Sequence, residues 1–259
     1  MRCASIGSGS KGNALVVSHN DTAILIDCGF PLKHLKAGLA RLEMSVEDIA
    51  AVFITHEHGD HIRGLKAFHR HSEAQVYMSA GTAEASNNVS LARLNTISGE
   101  EMISVGELQV LPVTVPHDAR EPYQFIIRAS RGRAKSDYAS LGVLTDLGSI
   151  PPHVHDNYSC CDALIIEANH DELMLREGAY PFPLKKRVGG NWGHLSNRQT
   201  SEFLAALDRD RLQWAVVAHI SEQNNCLEKL ALEIDSRIEN GIDIHYAAQD
   251  MGFDWLAVE

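Results

Sequence analysis

The feature that most constrains this chain is a group of three histidines and one aspartate directly behind a short apolar run. The run covers residues 50–54 and leads into Thr55-His56-Glu57-His58-Gly59-Asp60-His61. It is too short for a helix and rich in β-branched and aromatic side chains, so it predicts a buried strand. The histidines then lie on a loop at the strand end, where a glycine permits a tight turn.

The residue types in this loop predict a metal site. Neutral imidazole and carboxylate groups bind zinc and related divalent ions, and a catalytic site keeps one position open for water. The four groups are too close in sequence to reach one ion comfortably, but they can serve two neighbouring ions. A polar surface loop is the alternative, because 14 histidines in 259 residues allow some clustering by chance. The H-x-H-x-D-H spacing behind a strand favours the metal site.

This spacing resembles the metal-binding signature of the metallo-β-lactamase fold superfamily. Three later strand-like runs also end in residues that match the superfamily's ligands in chain order. The resemblance therefore implies a ligand set of His56, His58, Asp60, His61, His117, Asp146 and His219.

The resemblance also assigns these ligands to two ions. The first ion takes His56, His58 and His117, the second takes Asp60, His61 and His219, and Asp146 bridges them. The implied cofactor is two divalent ions, Zn²⁺ or Mn²⁺, since imidazole favours zinc while the carboxylates leave manganese open. True β-lactamases carry a cysteine at the bridging position. The carboxylate of Asp146 instead matches hydrolases of phosphate esters and thioesters, so antibiotic hydrolysis is disfavoured.

Further segments resemble one group of this superfamily, the YycJ (WalJ) group of bacterial cytoplasmic proteins, in which exonuclease activity on DNA is expected. The matching segments are residues 8–13, 24–29, 145–148, 167–171 and 193–197. The resemblance covers nearly the whole chain and departs from the group at residues 128–138. It implies a single domain over residues 1–259.

Apolar runs and helical patterns alternate along the chain. Strands are predicted at residues 14–17, 22–26, 52–54, 76–78, 108–115, 123–127, 141–144, 163–166, 214–217 and 242–245, and helices at 32–42, 62–71, 196–207 and 224–240. Strands with interleaved helices suggest two sheets packed face to face and covered by helices. The predicted fold class is therefore α/β (α+β), an αββα four-layer sandwich with the metallo-β-lactamase fold.

Composition limits the partners. The net charge of −11 argues against a nuclease, because a protein that contacts phosphate normally has clustered Lys and Arg side chains. Two bound cations would nevertheless dominate the local field. The basic stretches at residues 128–135 and 185–187 are the candidates for contact with nucleic acid, and solvated turns are the alternative for both. The sequence predicts no membrane span, and five cysteines without a C-x-x-C pair indicate a reducing, cytoplasmic setting.

A second group of residues is expected to donate a proton to the leaving group. Ser196 and Gln199 form a predicted capping box, so a helix begins just after His194. In the ribonuclease Z branch that this chain resembles, a corresponding histidine faces the metals as the proposed proton donor. We expect the catalytic residues to be His194 as general acid or phosphate ligand, Glu167 as the carboxylate that orients it, and Asp60. An exposed turn histidine and a helix-end carboxylate are the alternatives for the first two.

Phosphate binding is expected from two polar segments. Ser10 and Asn13 lie in a Gly/Ser-rich turn between strands, which a plain hairpin turn explains nearly as well. Asn224 and Asn225 are placed at a predicted helix start just after His219, where backbone N–H groups can meet a phosphate.

Other histidines are interpreted as surface residues of helices. These are His69, His71, His153 and His155.

The function predicted from these residues is metal-dependent hydrolysis of a phosphodiester, most specifically by a YycJ-like exonuclease on DNA, with nucleic acid or a small phosphodiester as substrate. One alternative is a small-molecule hydrolase, either a cyclic phosphodiesterase or a thioesterase. Another is a non-catalytic regulator that binds a signalling partner. The complete ligand set argues against the regulator.

Overall fold

Strands and short helices alternate along most of the chain. A computed structural model describes residues 1–132, 137–208, 210–238 and 242–259. The strands in these ranges are β1 (Arg2–Gly7), β2 (Ala14–His19), β3 (Thr22–Ile26), β4 (Ile49–Phe53), β5 (Gln75–Ser79), β6 (Leu94–Ile97), β7 (Ile103–Val105), β8 (Leu108–Thr114), β9 (Tyr123–Ser130), β10 (Tyr138–Leu144), β11 (Ala163–Glu167), β12 (Trp214–Ala218), β13 (Asp243–Tyr246) and β14 (Phe253–Ala257). The helices are α1 (Leu32–Arg41), α2 (Gly59–Ile62), α3 (Leu65–His69), α4 (Ala80–Ala85), α5 (Pro152–Tyr158), α6 (Glu172–Glu177), α7 (Phe182–Val188), α8 (Asn197–Ala206) and α9 (Leu227–Asp235), with a 3₁₀ turn at Val46–Asp48.

The strands form two mixed sheets with the same pattern of pairing. The first has the order β14-β1-β2-β3-β4-β5-β6 and the second β13-β12-β11-β10-β9-β8-β7. In the first sheet, pairs from β14 to β3 are antiparallel and pairs from β3 to β6 are parallel. In the second, pairs from β7 to β10 are antiparallel and pairs from β10 to β13 are parallel. The sheets therefore share a pattern of pairing although the sequence shows no repeat.

The inner faces of the two sheets pack on each other through apolar side chains. Ile24, Ile26 and Phe53 from the first sheet join Phe125 and Ile127 from the second in one buried cluster. The rings of Phe53 and Phe125 meet edge to face, with centroids 5.5 Å apart. Side chains of a strand alternate between faces, so neighbouring residues of the same strands point outward to the helices.

Helices cover both outer faces. Leu35 and Leu39 of α1 and Phe68 of α3 pack against the first sheet. Tyr158 of α5 and Leu204 of α8 pack against the second. The order of layers is helix, sheet, sheet, helix, which confirms the predicted αββα sandwich.

Two of the predicted helices differ from the structure. The predicted helix over residues 62–71 is wrong, because the chain forms α2 and α3 with a break at Arg63 and Gly64. The Gly64 N–H donates to the Cys28 carbonyl over 2.8 Å, and a Cβ on Gly64 would lie 2.0 Å from the Phe30 carbonyl oxygen. This close approach to the β3–α1 loop ends the first helix. His69, predicted to be exposed, is buried and lies beside Arg93.

The predicted helix over residues 224–240 begins later, at Leu227, after the capping residue Cys226. Its predicted last two residues lie outside the described ranges. The capping box of Ser196 and Gln199 is confirmed at the start of α8.

The basic stretch 185–187 is part of helix α7, so the alternative of a solvated turn is wrong for it. Residues 133–136 of the other basic stretch lie outside the described ranges. Among the described residues, no helix combines the length and apolar character that a membrane crossing requires.

Candidate metal centre and active site

The seven predicted ligands lie at one edge of the sandwich, where several strands end. His56 follows β4, Asp146 follows β10 and His219 follows β12. β8 runs in the same direction as β10, since both are antiparallel to β9, so its end brings His117 to the same edge. The carboxyl ends of parallel strands meet at one edge of a sheet, which is why residues far apart in sequence converge here.

Six of these side chains form two groups of three. The ligand atoms of His56, His58 and His117 lie within 4.8 Å of one another, and so do those of Asp60, His61 and His219. In the first group, His58 Nδ1 is 3.0 Å from His56 Nε2 and 3.3 Å from His117 Nε2. In the second, Asp60 Oδ2 is 3.5 Å from His61 Nε2 and 3.6 Å from His219 Nε2.

Asp146 lies between the two groups. Its Oδ2 is 3.3 Å from His61 Nε2 and its Oδ1 is 3.6 Å from His219 Nε2. It also forms a group of possible ligand atoms with His56 and His61. One carboxylate thus reaches members of both groups, as a bridging ligand must.

Buried polar atoms at the centre lack partners. Within the described ranges, Asp146 Oδ2 and His219 Nε2 are shielded from solvent and make no hydrogen bond. Leaving such atoms unpaired costs free energy, so each is expected to have a ligand. Imidazole nitrogens and carboxylate oxygens are suitable ligand atoms for Zn²⁺ or Mn²⁺. The residues present therefore fit divalent ions.

The electrostatics of the site favour positive charge. Burial lowers the pKa of His219, but the carboxylates of Asp146, Asp60 and Glu167 outweigh it and raise that pKa to about 10. Burial raises the pKa of Glu167, but His194 and His219 outweigh it and bring that pKa to about 2. Buried carboxylates need a cation nearby, which protonated imidazole or a metal ion can provide.

Asp27 and Thr55 contact the ring nitrogens of His61 and His56 that face away from the centre of the site. Neither residue was given a role from the sequence. His61 Nδ1 lies 2.7 Å from Asp27 Oδ2. The backbone N–H and the hydroxyl of Thr55 donate to Asp27 Oδ1 over 2.9 and 3.0 Å. The Thr55 hydroxyl also lies 3.0 Å from His56 Nδ1. Asp27 directly follows β3, so the strand-end pattern that indicated Asp146 would also have found it.

Replacing Asp27 by asparagine is expected to weaken metal binding by ~10- to 100-fold, the usual cost of losing a carboxylate behind a histidine ligand. The charge that orients His61 is lost while the size of the side chain is kept. Competition against a metal-chelating dye measures the affinity. Asp21→Asn is the matched control, since this exposed residue precedes the same strand. Equal affinities for the two variants would contradict the orienting role.

Three residues at the ends of the site strands have left-handed backbone conformations. Asp27 has a φ of 61°, Asp146 of 54° and His219 of 51°. This region costs a residue with a side chain on the order of 1–2 kcal/mol. Such strain persists only where the surrounding structure imposes it, and it concentrates at functional sites.

His194 and Glu167 lie together beside Asp146. His194 Nδ1 is 3.1 Å from Glu167 Oε2 and 3.7 Å from Asp146 Oδ1. Glu167 is fully buried, and its Oε1 accepts the N–H groups of Leu147 and Leu195 over 2.9 and 3.0 Å. Burial lowers the pKa of His194, but the Glu167 carboxylate outweighs burial and raises it. A fixed carboxylate thus holds one nitrogen of a ring that reaches the cavity.

The four residues predicted to bind phosphate lie in different places. Ser10 is exposed and lines the cavity. Asn13 is buried, with its Nδ2 3.1 Å from the Gly9 carbonyl oxygen and 3.2 Å from His61 Nε2.

The placement of Asn224 and Asn225 at a helix start is wrong, because α9 begins two residues further on. Both are buried away from the cavity lining. Asn225 instead donates to the Ala168 carbonyl and pairs with Asn197. The Asn224 N–H donates to the Ser221 hydroxyl over 3.2 Å.

The cavity above the candidate metal centre has a volume of about 370 Å³, and one residue of its lining, Tyr180, was not singled out from the sequence. Tyr180, Asn169 and Arg187 line it. Arg187 forms an ion pair with Asp118, whose Oδ1 lies 3.5 Å from His117 Nε2. Helix α7 therefore supplies a basic side chain at the rim of an otherwise acidic site.

Comparisons with known proteins show the family and the fold. Residues 22–220 match the family described as "Beta-lactamase superfamily domain". The chain is 28% identical to "Exodeoxyribonuclease YycJ" of Bacillus anthracis over 238 residues, covering 90% of this chain and 88% of that protein. It is also 28% identical to "Exodeoxyribonuclease WalJ" of Streptococcus pneumoniae over 258 residues, with coverages of 96% and 93%. The crystal structure of Zn²⁺-bound PqqB from Methylobacterium extorquens superposes with a TM-score of 0.75 at 17% identity, covering 99% of this chain and 100% of that one.

Proposed function

We propose that this chain, which belongs to the β-lactamase superfamily, is a phosphodiesterase that removes nucleotides from an end of DNA. That the chain is a metal-dependent hydrolase follows from the family and the ligand groups. The observation that carries the finer proposal is His194, held by Glu167 beside the bridging carboxylate. Hydrolysis of a phosphodiester with a sugar oxygen as leaving group needs such an acid. The relatives named exodeoxyribonuclease support the same substrate class.

Different residues of the chain have different roles in the proposed reaction. The two groups of three ligands, with Asp146 between them, would hold two divalent ions. Bound ions lower the pKa of water and neutralise charge that develops on phosphate. Glu167 accepts the Nδ1 proton of His194, which leaves the Nε2 proton as the one to transfer to the leaving oxygen. Asp27 and Thr55 fix the orientation of His61 and His56 throughout.

A degradation assay tests this function. The substrates are single- and double-stranded DNA and RNA labelled at the 5′ or the 3′ end, with a bis-aryl phosphodiester as the small-molecule control. Progressive loss of nucleotides from one end of DNA is the expected result. Cleavage of the aryl diester without any cleavage of a polynucleotide would favour a small cyclic phosphodiester as substrate. No cleavage of either with added metal would leave a thioesterase or a non-catalytic regulator.

The number of bound metal ions can be predicted independently of the substrate. The purified chain is expected to hold up to two divalent ions, and removing them with a chelator should lower the melting temperature. A ligand that binds only the folded state stabilises it by ~2.7 kcal/mol at a free concentration of 100 times its Kd. Elemental analysis and thermal denaturation, with zinc and manganese added back separately, make the measurement. Less than one ion per chain, not restored by either metal, would contradict the two-ion site.

A further inference from the structure

Two exposed aromatic side chains near the cavity have no part in the chemistry proposed above. Phe182 is 78% exposed and Trp192 is 63% exposed. Phe182 begins helix α7, and Trp192 lies between α7 and His194. We call α7 together with residues 189–193 the α7 ridge. Large exposed aromatic rings at the edge of an active site are typical of surfaces that bind another molecule.

The backbone of the ridge fixes Trp192 close to His194. The Gly193 N–H donates to the Gly190 carbonyl over 2.8 Å, and the His194 N–H donates to the Val188 carbonyl over 2.8 Å. A Cβ on Gly193 would lie 2.1 Å from the Arg187 carbonyl oxygen, so this turn is pressed against the end of α7. Two residues of chain span at most ~7 Å. The Cα atoms of Trp192 and His194 are therefore no further apart than roughly two stacked nucleotides, at ~3.4 Å per nucleotide.

The ridge is basic although the chain as a whole is acidic. Lys185, Lys186 and Arg187 are consecutive in α7, in a chain with a net charge of −11. Lys185 Nζ donates to the Arg176 carbonyl over 2.7 Å. Lys186 is exposed and makes no ion pair or hydrogen bond within the described part of the chain. Its charge is available to a ligand.

Helix α7 separates the active-site cavity from a second groove. Leu184 and Arg187 line the cavity. Phe182 and Lys186 line a groove of about 690 Å³ on the other side of the helix. Among the described residues that line this groove, the one acidic side chain, Glu172, is paired with Arg198. A strand that leaves the cavity past Trp192 thus meets an aromatic and basic surface.

We propose that the α7 ridge binds a single-stranded stretch of the polynucleotide, with Trp192 stacked on a base next to the cleaved bond and Phe182 and Lys186 contacting the strand further along. This inference rests on the proposed function. Stacking needs an unpaired base, which indicates a single strand. Aromatic stacking and lysine contacts to phosphate both tolerate any base sequence.

Substituting the aromatic residues tests the stacking contact. Trp192→Ala is expected to raise the KM for a labelled single-stranded oligonucleotide by ~5- to 150-fold, the range that base stacking on an aromatic ring supplies. Phe182→Ala should act in the same direction. Leu232→Ala, an exposed apolar residue of α9, is the matched control. The effect of Trp192→Ala should disappear on an oligonucleotide that lacks the bases at its terminal positions.

Substituting the lysine tests the phosphate contact. Lys186→Ala is expected to make the dependence of log affinity on log salt concentration shallower by ~0.7, the contribution of one phosphate contact to a single strand. Lys36→Ala, an exposed residue of α1, is the control for the loss of one charge. An equal change of slope in both variants would overturn the phosphate contact.

The outcomes separate this proposal from the function on which it rests. If the wild-type protein cleaves an aryl diester but no polynucleotide, the proposed function fails and the ridge proposal with it. If the wild-type protein degrades DNA and the Trp192→Ala and Leu232→Ala variants have the same KM, only the ridge proposal fails. An equal loss for Trp192→Ala on strands with and without terminal bases would show that the ring supports the turn rather than a base.

Discussion

Asp146→Ala is expected to abolish hydrolysis and to release much of the bound metal, with a larger effect than the loss of any single histidine ligand. Asp146 lies close to His61 and His219 of the second ligand group and also clusters with His56 of the first. Its removal would deprive two bound ions of a shared negative charge. A loss of several kcal/mol of transition-state stabilisation corresponds to ~10³-fold or more in kcat/KM. Elemental analysis and kinetics on an aryl diester measure both effects.

Two controls show whether the effect comes from bridging. Asp146→Asn keeps the size of the side chain but removes its charge, and it should also lose activity. Asp156→Ala removes an exposed aspartate of α5 and should retain both metal and activity. Wild-type turnover with full metal content in Asp146→Ala would show that another residue bridges the ions.

His194→Ala is expected to leave the metal bound and to slow cleavage of substrates with poor leaving groups by ~10²- to 10⁴-fold, as loss of a general acid does. A nucleoside oxygen needs a proton to leave, whereas an aryl oxide needs little help. Cleavage of an activated aryl phosphodiester should therefore fall much less. Parallel assays on an oligonucleotide and on the aryl diester, with metal analysis of the same sample, make the comparison.

Glu167→Gln separates proton transfer from other roles of His194. Glu167 acts through His194, so its variant should lose activity in the same selective way, and the double variant should lose little more than His194→Ala alone. Equal losses on both substrates for His194→Ala would assign the histidine to phosphate binding or metal positioning. No loss on either would make it a surface turn histidine.

The sequence predicted the layers because they depend on local patterns, whereas the proposed ligand set came from the resemblance to the superfamily. Short apolar runs marked the strands, and the ligands directly follow strand ends, as at Asp146 and His219. The break between α2 and α3 was missed because it depends on the contact of Gly64 with Phe30, which is distant in sequence. The helical conformation of residues 185–187 was missed for a related reason. Whether a lysine-rich segment is a turn or a helix at a cavity rim depends on tertiary packing.

The positive φ angles at three strand ends mean that the centre is held together at the expense of folding stability. Glycine at positions 27, 146 and 219 would relieve the backbone strain, since it occupies this region without a steric penalty. It would also remove Asp27, which contacts a proposed ligand, and two proposed ligands, Asp146 and His219. Asp27, Asp146 and His219 thus occupy positions where the backbone conformation alone would favour glycine. Selection for thermal stability and selection for turnover would act in opposite directions at these three positions.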